Sequence, residues 1–346
     1  MLEFAFEYGL FLAKAVTWVI AIVVVIGSIA GLIRQSRDHQ GGDRLDVRHL
    51  NRRYEDLAEV LNSELLSEEE RKADEKARKA REKAEAKAAK KGHKPPRPRL
   101  FVLNFDGDIG ASAVEELREE ITALLQVARD DDEVMLKLES EGGMVHAYGL
   151  AASQLVRIRD RGLRLTISVD KVAASGGYMM ACVAHRIIAA PFAVVGSIGV
   201  VAQIPNFNRL LKKHEVDFEL HTAGEHKRTL TLFGENTPAA REKFQQELED
   251  THVLFKRFVA EYRPQLKIDK VATGEHWFGR QALDLKLVDE LRTSDDFLME
   301  RSRESELYKI EFKPHRSLPE RLAHNWARLS RKVQPLQGRR GMLLSR

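Results

Sequence analysis

Cysteine occurs only once in the 346 residues, as Cys182. A single cysteine cannot form an intrachain disulfide framework, so cysteine usage does not reveal the redox compartment. It also excludes a structural zinc site built from several thiolates. The chain is longer than a typical single domain, although its globular part can still form one core.

Charge is absent from residues 15–33, AVTWVIAIVVVIGSIAGLI. This stretch is long enough to cross a hydrocarbon core as a helix. A cleavable signal peptide has a shorter apolar region and a small-residue cleavage site, with which GSIAG is only faintly compatible. We therefore expect residues 1–36 to form a single-pass membrane anchor that contacts lipid through residues 15–33.

The charges that flank this span bear on its orientation. Glu3, Glu7 and Lys14 precede it, whereas six arginines follow it within residues 34–53. Positive charge favours the cytoplasmic side, so this pattern predicts that the bulk of the protein faces the cytoplasm. Three aspartates lie among those arginines.

Large apolar residues are nearly absent from residues 67–99, which carry a net charge of +6. The composition favours helix, but there is no apolar stripe to bury. We prefer a solvated helical spacer to a nucleic-acid-binding arm. KPPRPR stops any helix and marks a domain boundary near residue 99. Residues 37–99 are therefore interpreted as a charged, mostly helical extension.

Acidic residues are scarce in the tail at 313–346, where Glu320 is the only one and the net charge is +8. Residues 1–66 carry −2 and the whole chain +4, which leaves −8 for residues 100–312. An acidic body with basic arms is not a nucleic-acid-binding core. Five apolar tail residues share a helical stripe that suits a membrane surface or a partner equally well: Leu318, Leu322, Trp326, Leu329 and Val333.

From residue 100 the pattern alternates between strands and helices. Predicted strands are 100–105, 133–139, 163–169, 186–190 and 217–222. Predicted helices are 112–129, with a capping box of Ser112 and Glu115, 145–162, one beginning near Ser175, and one from Thr237 to the residue before Pro264. This repeated βαβ order predicts an α/β layer fold with a mostly parallel sheet over residues 100–312.

Two glycine-rich junctions follow predicted strands, ESEGGMVH and ASGGYM. Ligands of parallel α/β sheets bind at the carboxyl ends of strands, so both junctions could face one crevice. Gly142 and Gly143 expose N–H groups suited to an anionic oxygen. Ser175 stands at the second junction either as a nucleophile or as a helix cap, and a cap or turn is the more common role for such a serine.

Two further segments contain residues that could assist such a serine. GSIGV is a small-residue turn with Ser197, and AGEHKRTLT carries Lys227. Loop lysines are normally solvated, but a lysine buried in an apolar site can accept the proton of a serine hydroxyl. The sequence alone does not bring Ser175 and Lys227 together.

In combination these motifs resemble peptidase family S49, the bacterial signal peptide peptidase group. The resemblance spans about residues 100–300 and rests on LESEGGMVHAYGLAASQL with DKVAASGGYMMACVA, on AAPFAVVGSIGVV with AGEHKRTLT, and on ATGEHWFGRQALDLKLVDEL. It implies that Ser175 is the nucleophile, Lys227 the general base and Ser197 a hydrogen-bond partner of that lysine. Oxyanion donors would come from Gly142 or Gly143 and from Gly176. Glu141 stands where the family usually has proline.

The resemblance also implies a crotonase-like or ClpP-like fold, a homo-oligomeric ring with pockets shared between subunits, and peptide or protein substrates. A family location on the outer face of the bacterial inner membrane is opposite to the side that the arginines favour. We expect no metal and no cofactor.

Three alternatives compete with the Ser-Lys peptidase. A Ser-His-Asp triad could use His146, His185, His226 or His276, although His185 has the position of a helix-end residue. A crotonase-fold acyl-CoA enzyme would share the glycine donors but requires no anchor, seryl nucleophile or lysine. A catalytically silent membrane scaffold is disfavoured by the presence of Ser175, Ser197 and Lys227.

Overall fold

The computed structural model describes residues 43–90, 97–224 and 227–315. Residues Leu45–Phe312 form one compact unit. The predicted membrane span at 15–33 and almost all of the basic tail lie outside the described residues. Within the ranges that are described, no helix is long and apolar enough to cross a membrane.

The described residues contain both strands and helices. The strands are β1 Arg44–His49, β2 Arg99–Gly107, β3 Glu133–Ser140, β4 Arg164–Val169, β5 Val172–Ala174, β6 Arg186–Ala189, β7 Val194–Gly196, β8 His276–Phe278, β9 Glu290–Leu291 and β10 Glu306–Lys313. The helices are α1 Leu50–Leu65, α2 Glu68–Lys90, α3 Val114–Val127, α4 Val145–Asp160, α5 Gly176–Ala181, α6 Asn208–Lys213, α7 Pro238–Tyr262, α8 Ile268–Val271, α9 Gly279–Asp284 and α10 Ser294–Arg301.

The strands form one mixed sheet in the order β1-β10-β2-β3-β4-β6-β9. Every pair from β10 to β9 is parallel. At its centre Leu103 of β2 pairs with Leu136 of β3, which pairs with Ile167 of β4, and all three are buried. Continuous apolar runs of this kind are typical of parallel strands covered on both faces. The predicted α/β fold with a mostly parallel sheet is confirmed.

A short second path of strands leaves the sheet at the carboxyl end of β3. Ser140, the last residue of β3, pairs with Ala173 of β5, and β5 runs parallel to β7. Antiparallel β8 then covers the other edge of β7. The carboxyl ends of β3, β5 and β7 therefore lie side by side. The candidate site residues Gly142, Ser175 and Ser197 follow these three strands.

Helix α3 has the predicted buried face but a different start. Leu117, Ile121 and Leu124 are buried against the core. The predicted capping box is wrong, because the N-cap residue is Ala113 and makes no side-chain bond. The Ser112 hydroxyl and N–H instead both donate to the carboxylate of Asp108, at 2.8 and 2.9 Å.

Within the predicted extension, strand β1 and helix α1 pack on the sheet. Strand β1 lies at the sheet edge beside β10. Asn51 of α1 donates to the carbonyls of Ser302 and Ser305 and accepts the N–H of Leu307 at 2.8 Å. The sequence pattern did not predict this strand, because RLDVRH is charged and a strand at a sheet edge does not need to alternate apolar and polar residues. By contrast, every described side chain of α2 is exposed, as expected of a solvated helix.

The prediction of a strand at residues 217–222 is wrong, whereas the prediction of a helix after it is confirmed. In the described part of the chain, residues 217–222 pair with no strand. The ring of Phe218 instead packs on that of Phe233, with 5.7 Å between the ring centroids. Helix α7 begins at Pro238 and ends at Tyr262, and the hydroxyl of Thr237 caps it by accepting the N–H of Ala240.

Helix α3 also carries a carboxyl group that should make stability pH-dependent. Glu120 is 4% exposed, its Oε1 accepts the N–H of Phe312 at 2.9 Å, and its Oε2 has no partner among the described residues. Burial is the main cause that raises the pKa of Glu120 from 4.5 to about 7. The folded protein therefore holds this proton more tightly than the unfolded chain does.

We expect Glu120→Gln to remove this pH dependence. Because the folded-state pKa is raised, the carboxyl group destabilises the fold as pH rises from about 4.5 to about 7, by roughly 3 kcal/mol in total. The difference in unfolding free energy between variant and wild type should grow over that window and stay constant above it. Urea titrations at several pH values measure this difference. Glu119→Gln, at an exposed neighbour, is the control, and an equal slope for both variants would contradict the prediction.

Candidate active site

Ser175 lies at the strained junction between β5 and α5. Its backbone has φ 52° and ψ −119°, and its N–H donates to the carbonyl of Gly196 at 2.8 Å. A non-glycine residue in this region costs on the order of 1–3 kcal/mol, which the surrounding structure must offset. The half-buried side chain makes no capping hydrogen bond to α5. The common role of such a serine as a helix cap is therefore not what this hydroxyl does.

Two glycines bring a second stretch of backbone against Ser175. Gly142 has φ 91°, and a Cβ there would lie 2.7 Å from the nitrogen of Gly176 and 2.8 Å from Cβ of Ser175. A Cβ on Gly143 would collide with the carbonyl of Ile109. Both positions require glycine for these reasons.

The two glycine N–H groups have different partners. Gly142 N–H donates to the hydroxyl of Ser140 at 3.0 Å, whereas no bond from the N–H of Gly143 occurs within the described part of the chain. Gly176 is the first residue of α5, and the first N–H groups of a helix have no intrahelical acceptor. Among the described residues, the N–H groups of Gly143 and Gly176 therefore have no acceptor and can bind an incoming oxygen.

Ser197 lies beside Ser175 at the ends of two paired strands. Ala174 pairs with Gly196 in the parallel β5–β7 ladder, so the two serines are the next residues on adjacent strands. Ser197 also has a positive φ, 51°, and its N–H donates to the carbonyl of Glu275 at 2.7 Å. The structure thus brings Gly142, Ser175, Gly176 and Ser197 together.

Lys227 is not part of this cluster in the single chain. It is exposed in an irregular loop, where its N–H donates to the carbonyl of Gly224 at 3.2 Å. Among the described residues, no hydrogen bond joins its side chain to Ser175 or Ser197. Its neighbours Glu225 and His226 lie outside the described residues.

The histidines that could form a triad are not bonded to Ser175 in the described residues. His185 lies at the opposite end of the sheet, where its Nδ1 accepts the N–H of Leu165, and burial lowers its pKa. His146 is exposed on α4. His276 pairs with Gly196 in the β7–β8 ladder but makes no bond to either serine. His226 lies outside the described residues.

The sequence did not predict two buried side chains that lie under the turn at Gly142 and Gly143, called the glycine turn below. The hydroxyls of Ser140 and Tyr148 are 2.6 Å apart, and that of Tyr148 donates to the carbonyl of Asp108 at 2.8 Å. Tyr148 shares the buried face of α4 with Ala151, Ala152 and Leu155. Because Tyr148 lies on an apolar helical face, its sequence position resembles that of an ordinary core residue. The available signal was only Ser140, which lies within the motif ESEGGMVH.

Apolar side chains surround the glycine turn on the surface. Ile109, Met144 and Val145 are 71%, 50% and 43% exposed. The N–H of Met144 donates to the carbonyl of Ile109 at 2.8 Å, which holds the two loops together. This rim offers apolar surface next to Gly143, and the carboxylate of Glu141 is exposed beside it.

These features define a class of α/β protein in which a strained serine and two free N–H groups meet at the ends of parallel strands. Comparison with known families makes the assignment specific. Residues 3–155 match the model of the Peptidase family S49 N-terminal region and residues 157–307 that of Peptidase family S49.

Close relatives agree with the family models. The chain is 52% identical over 318 residues to a probable protease SohB of Haemophilus influenzae, covering 90% of each chain. It is 51% identical over 307 residues to a probable protease SohB of Buchnera aphidicola subsp. Schlechtendalia chinensis, covering 87% of this chain and all of the relative. The chain belongs to peptidase family S49, and these matches support a peptidase.

A solved structure also aligns with the fold. It is a mutant of a membrane-bound stomatin-specific protease in complex with a substrate peptide. The alignment covers 66% of this chain and 96% of that chain, with 15% identity and a TM-score of 0.41.

Proposed function

We propose that the chain is a serine endopeptidase in which the hydroxyl of Ser175 attacks the peptide carbonyl. The observation that carries this proposal is the strained backbone of Ser175, which packs against Gly142 while its side chain makes no helix-capping hydrogen bond. A sharp strand-to-helix turn of this kind presents a serine hydroxyl to substrate, as in other serine hydrolases. The N–H groups of Gly143 and Gly176 stabilise the oxyanion, and the apolar rim at Ile109 and Met144 accepts side chains of the peptide.

Lys227 is proposed as the general base, with Ser197 as its hydrogen-bond partner. In the single chain Lys227 is exposed to solvent, where a lysine remains protonated. A Ser175–Lys227 dyad therefore requires another surface to cover the loop that carries Lys227. Large apolar residues exposed through residues 201–233 support a covering partner: Val201, Ile204, Phe207, Leu210, Val216, Phe218, Leu220, Leu232 and Phe233. We propose that this partner is a neighbouring subunit in a homo-oligomeric ring. Desolvation there favours the neutral amine that a base needs.

The proposed reaction proceeds through an ester of Ser175. Neutral Lys227 takes the hydroxyl proton as the Ser175 oxygen forms a bond to the carbonyl carbon. The resulting oxyanion accepts hydrogen bonds from the N–H groups of Gly143 and Gly176. Collapse breaks the C–N bond, and Lys227 gives its proton to the leaving amine. Lys227 then takes a proton from a water molecule as the water oxygen forms a bond to the ester carbonyl carbon. The C–O bond to Ser175 breaks, and Lys227 returns the proton to the Ser175 oxygen.

We also propose that residues 15–33 anchor the protein in a bacterial inner membrane, followed by the charged extension at 37–99. The substrates proposed are membrane-derived peptides, signal peptides or misfolded envelope proteins. The family resemblance favours the periplasmic face for the catalytic unit, and the arginines after the span favour the cytoplasmic face. A reporter fused after Arg346 distinguishes the two faces.

The function is tested by hydrolysis of fluorescently labelled casein by the full chain in detergent. We expect peptide fragments to accumulate without any added metal or cofactor. Chelator should leave the rate unchanged. An absence of fragments from casein and from detergent-solubilised membrane peptides would contradict the proposed activity.

A further inference from the structure

The geometry points to Ser140 and Tyr148 as positioning residues for the oxyanion-binding turn. We propose that their hydroxyls form a buried relay from Gly142 to Asp108 that aims the N–H of Gly143 at the substrate oxygen. The inference rests on the proposed peptidase function, because it assigns these side chains a role in that same site.

The relay has one consistent direction of hydrogen bonding. Tyr148 has one phenolic proton and donates it to the carbonyl of Asp108 at 2.8 Å. The 2.6 Å contact between the two hydroxyls must then be a bond from Ser140 to Tyr148. The oxygen of Ser140 is left to accept the N–H of Gly142 at 3.0 Å. Each hydroxyl in the relay therefore donates once and accepts once.

This relay determines which N–H of the glycine pair is free. A serine oxygen that accepts the N–H two residues later closes a tight local turn. That turn directs the N–H of Gly142 inward, and the N–H of Met144 is taken by the carbonyl of Ile109. Between them, the N–H of Gly143 has no acceptor in the described residues. Without the Ser140 hydroxyl, the peptide before Gly142 would lose the bond that orients it.

The same two residues also pack against the turn that carries Ser175. A Cβ on Gly176 would collide with the ring of Tyr148, and one on Gly177 would lie 2.6 Å from the carbonyl oxygen of Ser140. Tyr148 and Ser140 therefore pack directly beneath the start of α5. Both elements that supply the proposed oxyanion donors therefore contact the same two residues, Ser140 and Tyr148.

Burial keeps the relay in a single state. Ser140 is buried and Tyr148 is fully buried, with the Phe105 ring edge-on at 6.4 Å. Burial raises the pKa of the Tyr148 phenol, so it remains a proton donor over the physiological range. Hydrogen bonds in such a dry site are costly to lose, because the partner atoms find no water in exchange.

Tyr148→Phe tests the relay because it removes one oxygen and keeps the ring. We expect kcat for a peptide substrate to fall by about 10- to 100-fold while KM changes little, since the donor is displaced rather than the peptide-binding rim. The inhibition constant of a peptide aldehyde should rise by a similar factor, because the oxygen of its serine adduct occupies the oxyanion site.

Tyr178→Phe is a matched control. Tyr178 is equally buried, in α5, and its hydroxyl donates to the carbonyl of Leu287 at 2.9 Å, away from the glycine turn. It should lower the melting temperature by a comparable amount but leave kcat and aldehyde binding unchanged. Equal kcat for the Tyr148→Phe and Tyr178→Phe variants would overturn the relay.

Ser140→Ala provides a second test should Tyr148→Phe fail to fold. It removes the acceptor of the Gly142 N–H, and we expect the same loss in kcat and in aldehyde affinity. Wild-type kcat in a folded Ser140→Ala protein would contradict the proposal. The Ser175→Ala variant separates the proposed peptidase mechanism from the proposed relay. If Ser175→Ala remains active, the proposed nucleophile is wrong. If Ser175→Ala is inactive but Tyr148→Phe and Ser140→Ala have the wild-type kcat, only the relay is rejected.

Discussion

Replacing Ser175 with alanine is expected to lower kcat/KM for casein peptides by about 10⁴-fold or more, to the background rate. Removal of the nucleophilic oxygen leaves no atom that can form the acyl-enzyme. The fold should survive, because the Ser175 side chain caps no helix and its backbone bond to Gly196 is unaffected. Hydrolysis rates and melting temperatures of the purified full chain measure both effects.

Ser153→Ala is the control for this variant. Ser153 is exposed on α4, where its hydroxyl donates to the carbonyl of Gly149 at 2.8 Å. It should retain the wild-type rate. Full activity in the Ser175→Ala variant, with Ser153→Ala unchanged, would remove Ser175 as the nucleophile and reject the proposed mechanism.

Replacing Lys227 with alanine is expected to lower kcat by about 10²- to 10⁴-fold, the range typical of a lost general base. Lys227→Arg should be equally inactive, because a guanidinium keeps its proton and cannot act as a base. Arg228→Ala, at the next exposed position of the same loop, is the control and should retain activity. Comparable rates for the Lys227 and Arg228 variants would exclude the dyad.

The pH dependence gives the same hypothesis a second readout. An ammonium must lose its proton before it can accept one from Ser175, so the wild-type rate should rise towards alkaline pH. Any residual rate in Lys227→Ala should lack this rise. A wild-type rate that is constant from about pH 6 to about pH 10 would count against a lysine base.

The regular part of the fold could be predicted because its residues have periodic or continuous apolar patterns. The buried runs of β2, β3 and β4 and the apolar stripe of α3 belong to this group. Strand β1 could not be predicted, since RLDVRH is charged and pairs at a sheet edge. Residues 217–222 alternate like a strand, but strand formation depends on a neighbouring edge that the local sequence does not encode.

The proximity of three candidate site residues could be predicted, because it depends on strand order. Gly142, Ser175 and Ser197 all follow strands of one parallel arrangement, so their proximity follows from topology. Lys227 lies in an irregular loop, and no local pattern specifies where such a loop packs. Ser140 and Tyr148 escaped prediction because their contacts with Asp108 and Gly176 are tertiary.

The central claim, that Ser175 is the nucleophile, is tested most directly by locating the acyl group. The full chain is mixed with an activated ester, quenched with acid within one turnover, digested and mapped by mass spectrometry. The proposed mechanism predicts one acyl group on the peptide that contains Ser175, attached to that serine, and none in Ser175→Ala. An acyl group on another residue that persists in Ser175→Ala, or hydrolysis with no acylated residue at all, would contradict it.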